Sequence, residues 1–142
     1  LILFLLAALT VYTVYRSHVY RQTAENLPDD AVIGRGSPVL LELGAPWCPA
    51  CRQMMPVLDD LSEDYAEYFT VAAVDVDENT AAQRKYRVGP IPLLIFFDAE
   101  GNELHRHTGF LSKERILETW RQLGVRPDDP SSRTGEAEGV RL

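Results

Sequence analysis

The spacing of apolar residues changes period several times along the chain, and each change marks an element. Pro38-Val-Leu-Leu-Glu-Leu-Gly44 is a short apolar run holding one acid, and it reads as a buried strand. From Pro49 the period lengthens. Cys51, Met54 or Met55, Leu58, Leu61, Tyr65 and Tyr68 keep helical spacing, and Pro49 takes the first helical position, where proline's missing N–H is no loss. Val71-Ala-Ala-Val-Asp-Val76 is the next strand. Asp77 to Asn79 then supply capping side chains for a short helix ending near Tyr86, and Gly89 to Pro92 form a loop. Leu93-Leu-Ile-Phe-Phe97 reads as a second buried strand, and Asp98 to Asn102 turn into a third, Glu103 to Thr108. Ser112 caps a last helix whose apolar stripe is Ile116, Leu117, Trp120 and Leu123, stopped by Gly124 and Pro127. The order βαβα, hairpin, α predicts an α/β fold: a central mixed sheet with helices on both faces.

The two ends depart from this pattern. Residues 1–15 carry no charge and are dominated by Leu, Ile, Phe, Ala, Val and Tyr, with Arg16, His18 and Arg21 following. A full membrane span takes about 20 apolar residues. This run is shorter and starts without an initiator methionine, so it is expected to be the distal part of a truncated transmembrane anchor. A cleavable signal peptide is the alternative, although no clear small-residue cleavage site follows. Residues 16–36 are then a linker with room for one short helix, 37–124 the folded domain, and 125–142 a disordered tail rich in Pro, Ser, Gly and charged residues. A net charge of −7 argues against nucleic acid as a partner, which calls for a basic surface.

The candidate chemistry lies in Trp47-Cys48-Pro49-Ala50-Cys51, where the chain's only two cysteines stand two residues apart. This placement puts Cys48 at a helix N-terminus. There, free backbone N–H groups and the positive end of the helix dipole favour thiolate over thiol and make a nucleophile. Cys51, one turn along, faces the same way and can close a disulfide. Structural zinc needs about four ligands, and only His18, His105 and His107 are available to join the thiols. Copper(I) on two thiolates, with His105 and His107 on one strand face, remains an alternative, as does a plain solvated face for those histidines. A purely structural disulfide would close too short a loop to restrict the unfolded chain much.

These residues resemble those of the thioredoxin-fold family over about Pro38 to Gly124. Ala45-Pro46-Trp47-Cys48 is similar to the family's approach to its nucleophile, and Pro56 matches a proline inside its active-site helix. Gly89-Pro90-Ile91-Pro92 resembles its cis-proline loop, Gly109 its glycine after the last strand, and Glu42 its buried acid behind the cysteines. The resemblance implies a membrane-anchored thiol–disulfide oxidoreductase with Cys48 as nucleophile and Cys51 as resolver. Glu42, its pKa raised by desolvation, would take the Cys51 proton; the alternative for Glu42 is an ordinary edge position in its strand. Trp47, Pro49, Ile91 and Pro92 would contact substrate, and no cofactor or metal is called for.

Two departures stand out. Pro-Ala replaces the Gly-Pro between the cysteines, and Ala73 stands where many thioredoxins carry a basic residue near the acid. Ile91 before Pro92 resembles reductases more than oxidases. The implied partners are disulfide-containing envelope proteins, apocytochrome c among them, a membrane electron donor for re-reduction, and the membrane itself, with the chain a monomer. The implied location is a bacterial inner membrane with the domain facing the periplasm. By the positive-inside rule, Arg16 and Arg21 taken alone would put it on the cytoplasmic face. A binding module on the same fold, either a copper chaperone or a non-catalytic docking domain, is the alternative function.

Overall fold

A computed structural model of the chain describes Ala7, Thr10 and residues 31–127. Apart from Ala7 and Thr10, the expected anchor lies outside the described residues, as do most of the linker and nearly all of the expected tail. Among those described, no helix is long and apolar enough to cross a membrane. Strand β1 spans Val39–Gly44, helix α1 Pro49–Asp64, β2 Thr70–Asp75, α2 Thr80–Lys85, β3 Leu93–Phe97, β4 Glu103–Thr108 and α3 Lys113–Gln122.

The strands form one sheet in the order β2-β1-β3-β4. β1 runs parallel to β2 and antiparallel to β3, and β3 runs antiparallel to β4. β1 is therefore interior to the sheet, and all six of its residues are buried. A strand covered on both faces has no polar side to show, which is why its sequence is a run and not an alternation. The alternation decides only which core each residue enters. Leu40 joins Met54, Leu58 and Leu61 of α1 and Ile116 and Trp120 of α3. Val39, Leu41 and Leu43 enter the opposite core with Ala82 of α2 and Tyr86. On the first face the aromatic rings carry the packing, with Phe69 stacked on Trp120 at 5.0 Å and Phe96 edge-on to it at 4.9 Å.

The helices begin where the sequence places them. Cys48 is the N-cap of α1 with Pro49 in its first turn, Asn79 caps α2 by accepting the Ala82 N–H at 2.9 Å, and Ser112 caps α3. One end differs. The apolar spacing predicts helix as far as Tyr68, yet α1 stops at Asp64 with Tyr65 as its C-cap. The Tyr65 carbonyl takes the N–H groups of Tyr68 and Phe69 at 2.9 and 3.3 Å. That turn drops Phe69 beneath the sheet, stacked on Tyr65 and Trp120, and a continued helix would carry it past that pocket. β2 begins at Thr70 instead of Val71, because the Thr70 N–H pairs with the Pro38 carbonyl at 2.8 Å.

At the domain's edges, Val32 and Ile33 pack against the α2-side core, and the Gly36 N–H bonds to the Ala99 carbonyl at 3.0 Å. Val125 likewise packs on the α1–α3 core and donates its N–H to Trp120 at 2.9 Å.

Candidate active site

β1 ends at Gly44, and four residues later the chain enters α1, so the dithiol sits at the C-terminal end of an interior parallel strand. This crevice is where open α/β sheets place their sites. Cys48 and Cys51 are free thiols, 5 % and 1 % exposed. The Cys51 backbone N–H donates to Cys48 Sγ at 3.2 Å, one of the first-turn donors a helix cannot satisfy internally. Facing Cys48 from across the site, the Ile91 carbonyl lies 3.9 Å from its sulfur. The Ile91–Pro92 peptide bond is cis, Pro92 is buried, and its carbonyl accepts the Gly109 N–H at 2.8 Å. That bond holds the turn after β4 beside the proline loop. Phe110, the next residue, is 45 % exposed and adds an apolar side chain there that the sequence reading did not single out.

Trp47 is 64 % exposed, and its indole N–H donates to Asp77 Oδ2 at 2.6 Å. The Arg52 guanidinium donates to the carbonyls of Pro46 and Trp47 at 3.1 and 3.0 Å, fastening the approach loop to the first turn of α1. Pro49 is exposed on the outer side of that turn. Cys48, Cys51, Ile91 and Pro92 are thus brought together, with Trp47 and Pro49 on the rim.

Glu42 is fully buried in the interior strand, not at an edge. It lies in register with Ala73 of β2 and Leu94 of β3, on the α1 face of the sheet. Neither carboxyl oxygen has a hydrogen-bond partner. Burial first, and then the negative charge of Asp75, lift its pKa from the ordinary 4.5 to about 8. Ala73 is directly opposite and leaves the acid without a cation.

Gly44 explains how Glu42 reaches the dithiol. A Cβ at this position would stand 3.0 Å from Cys51 Sγ and closer still to the Glu42 carboxyl, so thiol and acid flank one glycine notch. Burial, hydrogen bonding with Cys48 and the nearby Glu42 push the Cys51 thiol up to about 12. A thiol held so firmly protonated needs a base beside it before it can attack.

Two further site residues, Asp75 and Gly44, escaped the sequence reading. Asp75 is 5 % exposed and pairs with Gly44 across β1 and β2. An acid inside an apolar strand was the available signal, the same signal that marks Glu42. The histidines go elsewhere. His105 and His107 line a groove of about 250 Å3 with Leu111, Arg115 and Thr119, on the α3 side of the edge strand. Among the described residues, no three His, Cys, Asp or Glu side chains converge to hold a metal ion.

The fold and the site define a class: an α/β protein that presents a Cys-x-x-Cys dithiol at a helix N-terminus, against a cis-proline loop, with a buried acid behind it. The thioredoxin family model matches residues 19–122, and the chain belongs to the thioredoxin family. It is 34% identical over 99 residues to a thioredoxin of Pseudomonas aeruginosa, covering 70% of this chain and 90% of that one. It is 32% identical over 114 residues to the protein disulfide-isomerase tigA of Aspergillus niger, covering 78% of this chain but only 32% of the isomerase, so it spans about a third of that relative's length. Among solved structures, Fasciola hepatica thioredoxin superposes with a TM-score of 0.57 at 30% identity, covering 63% of this chain and 83% of that one. Thioredoxin-2, described as a component of malaria parasite protein secretion machinery, gives 0.58 at 26%, covering 61% and 82%. Family and dithiol together support thiol–disulfide oxidoreduction as the class of reaction.

Proposed function

We propose that the chain is a thiol–disulfide reductase, tethered to a bacterial inner membrane through its apolar N-terminal segment and acting on disulfides of envelope proteins. Apocytochrome c is one substrate of this kind, and a membrane electron donor recharges the dithiol. The observation that carries the reading is the junction of three parts at one point: Cys48 as N-cap receiving the Cys51 N–H, the Ile91 carbonyl facing its sulfur, and Glu42 behind Cys51 at the Gly44 notch.

Cys48 attacks the substrate disulfide while an extended segment of the substrate lies along the Ile91–Pro92 main chain. Trp47, Pro49 and Phe110 offer apolar surface around the entrance. The first substrate sulfur leaves as a thiolate, and a Cys48–substrate mixed disulfide forms. Cys51 then attacks Cys48, which releases the second substrate sulfur and leaves the Cys48–Cys51 disulfide. Because the Cys51 thiol is held protonated, this second step depends on Glu42 to remove the proton.

Trapping is the test. With Cys51→Ser, resolution is impossible, and mixed disulfides with envelope proteins should accumulate on Cys48; Cys48→Ser should abolish reduction of insulin disulfides. Reduction surviving in Cys48→Ser, or no trapped partner from envelope extracts, would overturn the proposal.

A further inference from the structure

The pocket behind the dithiol holds a second acid that the two-step reaction above does not use. Asp75 ends β2 opposite Gly44, and strand alternation puts its side chain on the face that carries Ala73 and Glu42. Adjacent strands stand about 4.8 Å apart, and Asp75 lies directly across from the glycine whose notch Glu42 and Cys51 flank. Its Oδ1 accepts the Asp77 N–H at 2.9 Å, which fixes the carboxyl in place, and Asp77 is in turn the acceptor for the Trp47 indole.

The other groups facing Glu42 supply no compensating charge at close range. α1 contributes the thiols of Cys48 and Cys51, and β2 contributes Ala73 and Asp75. β3 offers only Leu94, and His107 of β4 lies beyond Leu94 in the same cross-strand row. α3 sends Ile116, Leu117 and Trp120 to this face.

We propose that Asp75 is a positioning residue for the resolving step: its carboxylate, anchored by the Asp77 N–H beside Glu42, opposes a second negative charge in the pocket and thereby sets the pH at which Glu42 can accept the Cys51 proton. The proposal rests on the thiol–disulfide reading above. In the step itself, the Glu42 carboxylate takes the S–H proton of Cys51, and the Cys51 sulfur forms a bond to Cys48 Sγ. The Cys48–substrate bond breaks, and its electron pair leaves on the substrate thiolate. The dithiol is oxidised, the substrate is reduced, and the proton on Glu42 is passed to solvent or to the departing sulfur. Asp75 is buried on the same face of the sheet as Glu42 and touches neither reacting sulfur in the step above, so it acts on the reaction only through Glu42.

Ellman's reagent separates the two steps. The first aryl thiolate released reports attack by Cys48, and the second reports resolution by Cys51. In Asp75→Asn, which keeps an acceptor for the Asp77 N–H, the pH profile of the second release should move toward acid by on the order of one pH unit. Resolution should become several-fold faster below the parent's inflection, and the first release should keep its profile. In a Glu42→Gln background, Asp75→Asn should cause no further displacement. A second-release profile that superimposes on the parent's, or an equal displacement without Glu42, would overturn the proposal.

Carbon-13 NMR of the Glu42 carboxyl in the reduced parent and in reduced Asp75→Asn needs no turnover. A Glu42 titration curve displaced toward acid in Asp75→Asn supports the inference, and a curve that superimposes on the parent's overturns it. Absence of any second release in the parent would sink the thiol–disulfide reading, while the NMR curves still decide the role of Asp75.

Discussion

Replacing Glu42 with Gln should change how the stability of this protein depends on pH, with a sign opposite to that of most carboxylates. Glu42 is fully buried, both its oxygens lack partners, and its proton is retained to about pH 8 in the fold against 4.5 for an ordinary glutamate. Below pH 4.5 the carboxyl is protonated in folded and unfolded chains alike, and ionisation costs the fold nothing. Between 4.5 and about 8 the unfolded chain releases this proton while the folded one keeps it. The folded state then binds more protons, so stability falls as pH rises, by about 1.4 kcal/mol per pH unit. At pH 7 the accumulated cost is about 3 kcal/mol, and above pH 8 it levels off at about 5 kcal/mol.

Gln has the same shape and no titration. Its buried amide carries a penalty of about 1–3 kcal/mol, but that penalty does not vary with pH. Urea unfolding of the reduced parent and of Glu42→Gln from pH 4 to 8.5 isolates the difference, because the groups they share cancel. The upper limit keeps the unfolded thiols mostly protonated, so Cys51 adds little. The variant should gain on the parent steadily from about pH 4.5 and stop gaining near pH 8. Parallel stability curves across that range would refute the argument that Glu42 is a neutral, unpartnered acid in the fold.

Gly44→Ala should destabilise the protein by about 1–3 kcal/mol, because the new methyl overlaps the Glu42 carboxyl and crowds Cys51 Sγ. It should also slow the second thiolate release with Ellman's reagent more than the first; parent-like stability and kinetics would show the notch to be empty. Asn79→Ala removes the acceptor for the Ala82 N–H and should cost about 1 kcal/mol in urea unfolding, with no displacement of the thiol-release profiles.

Much of this molecule is local and was legible along the chain. The caps at Cys48, Asn79 and Ser112, the proline in the first turn of α1, both strands of the β3–β4 hairpin and the apolar stripe of α3 follow from residue type and short spacing. Hydrogen bonding and burial over a few residues are decided by neighbours in sequence. The dithiol belongs to this category, since its position at a helix N-terminus needs only the strand before it and the helix after it.

What only the tertiary structure decided depends on which strands meet and in what register. Whether Glu42 was an interior or an edge residue turned on β3 pairing with β1, a contact between segments about fifty residues apart that no periodicity encodes. Register then put Ala73, which the family resemblance had already placed near the acid, directly opposite Glu42, and it alone set Asp75 opposite Gly44, bringing a second acid to the pocket. The same long-range packing ended α1 at Asp64, because Phe69 had to reach Trp120, and carried His105 and His107 into a groove against α3. A strand's sequence shows that alternate side chains share a face. Which groups face them is decided only when the sheet closes, because pairing partners come from distant segments and a slip of one residue would send every side chain to the other side.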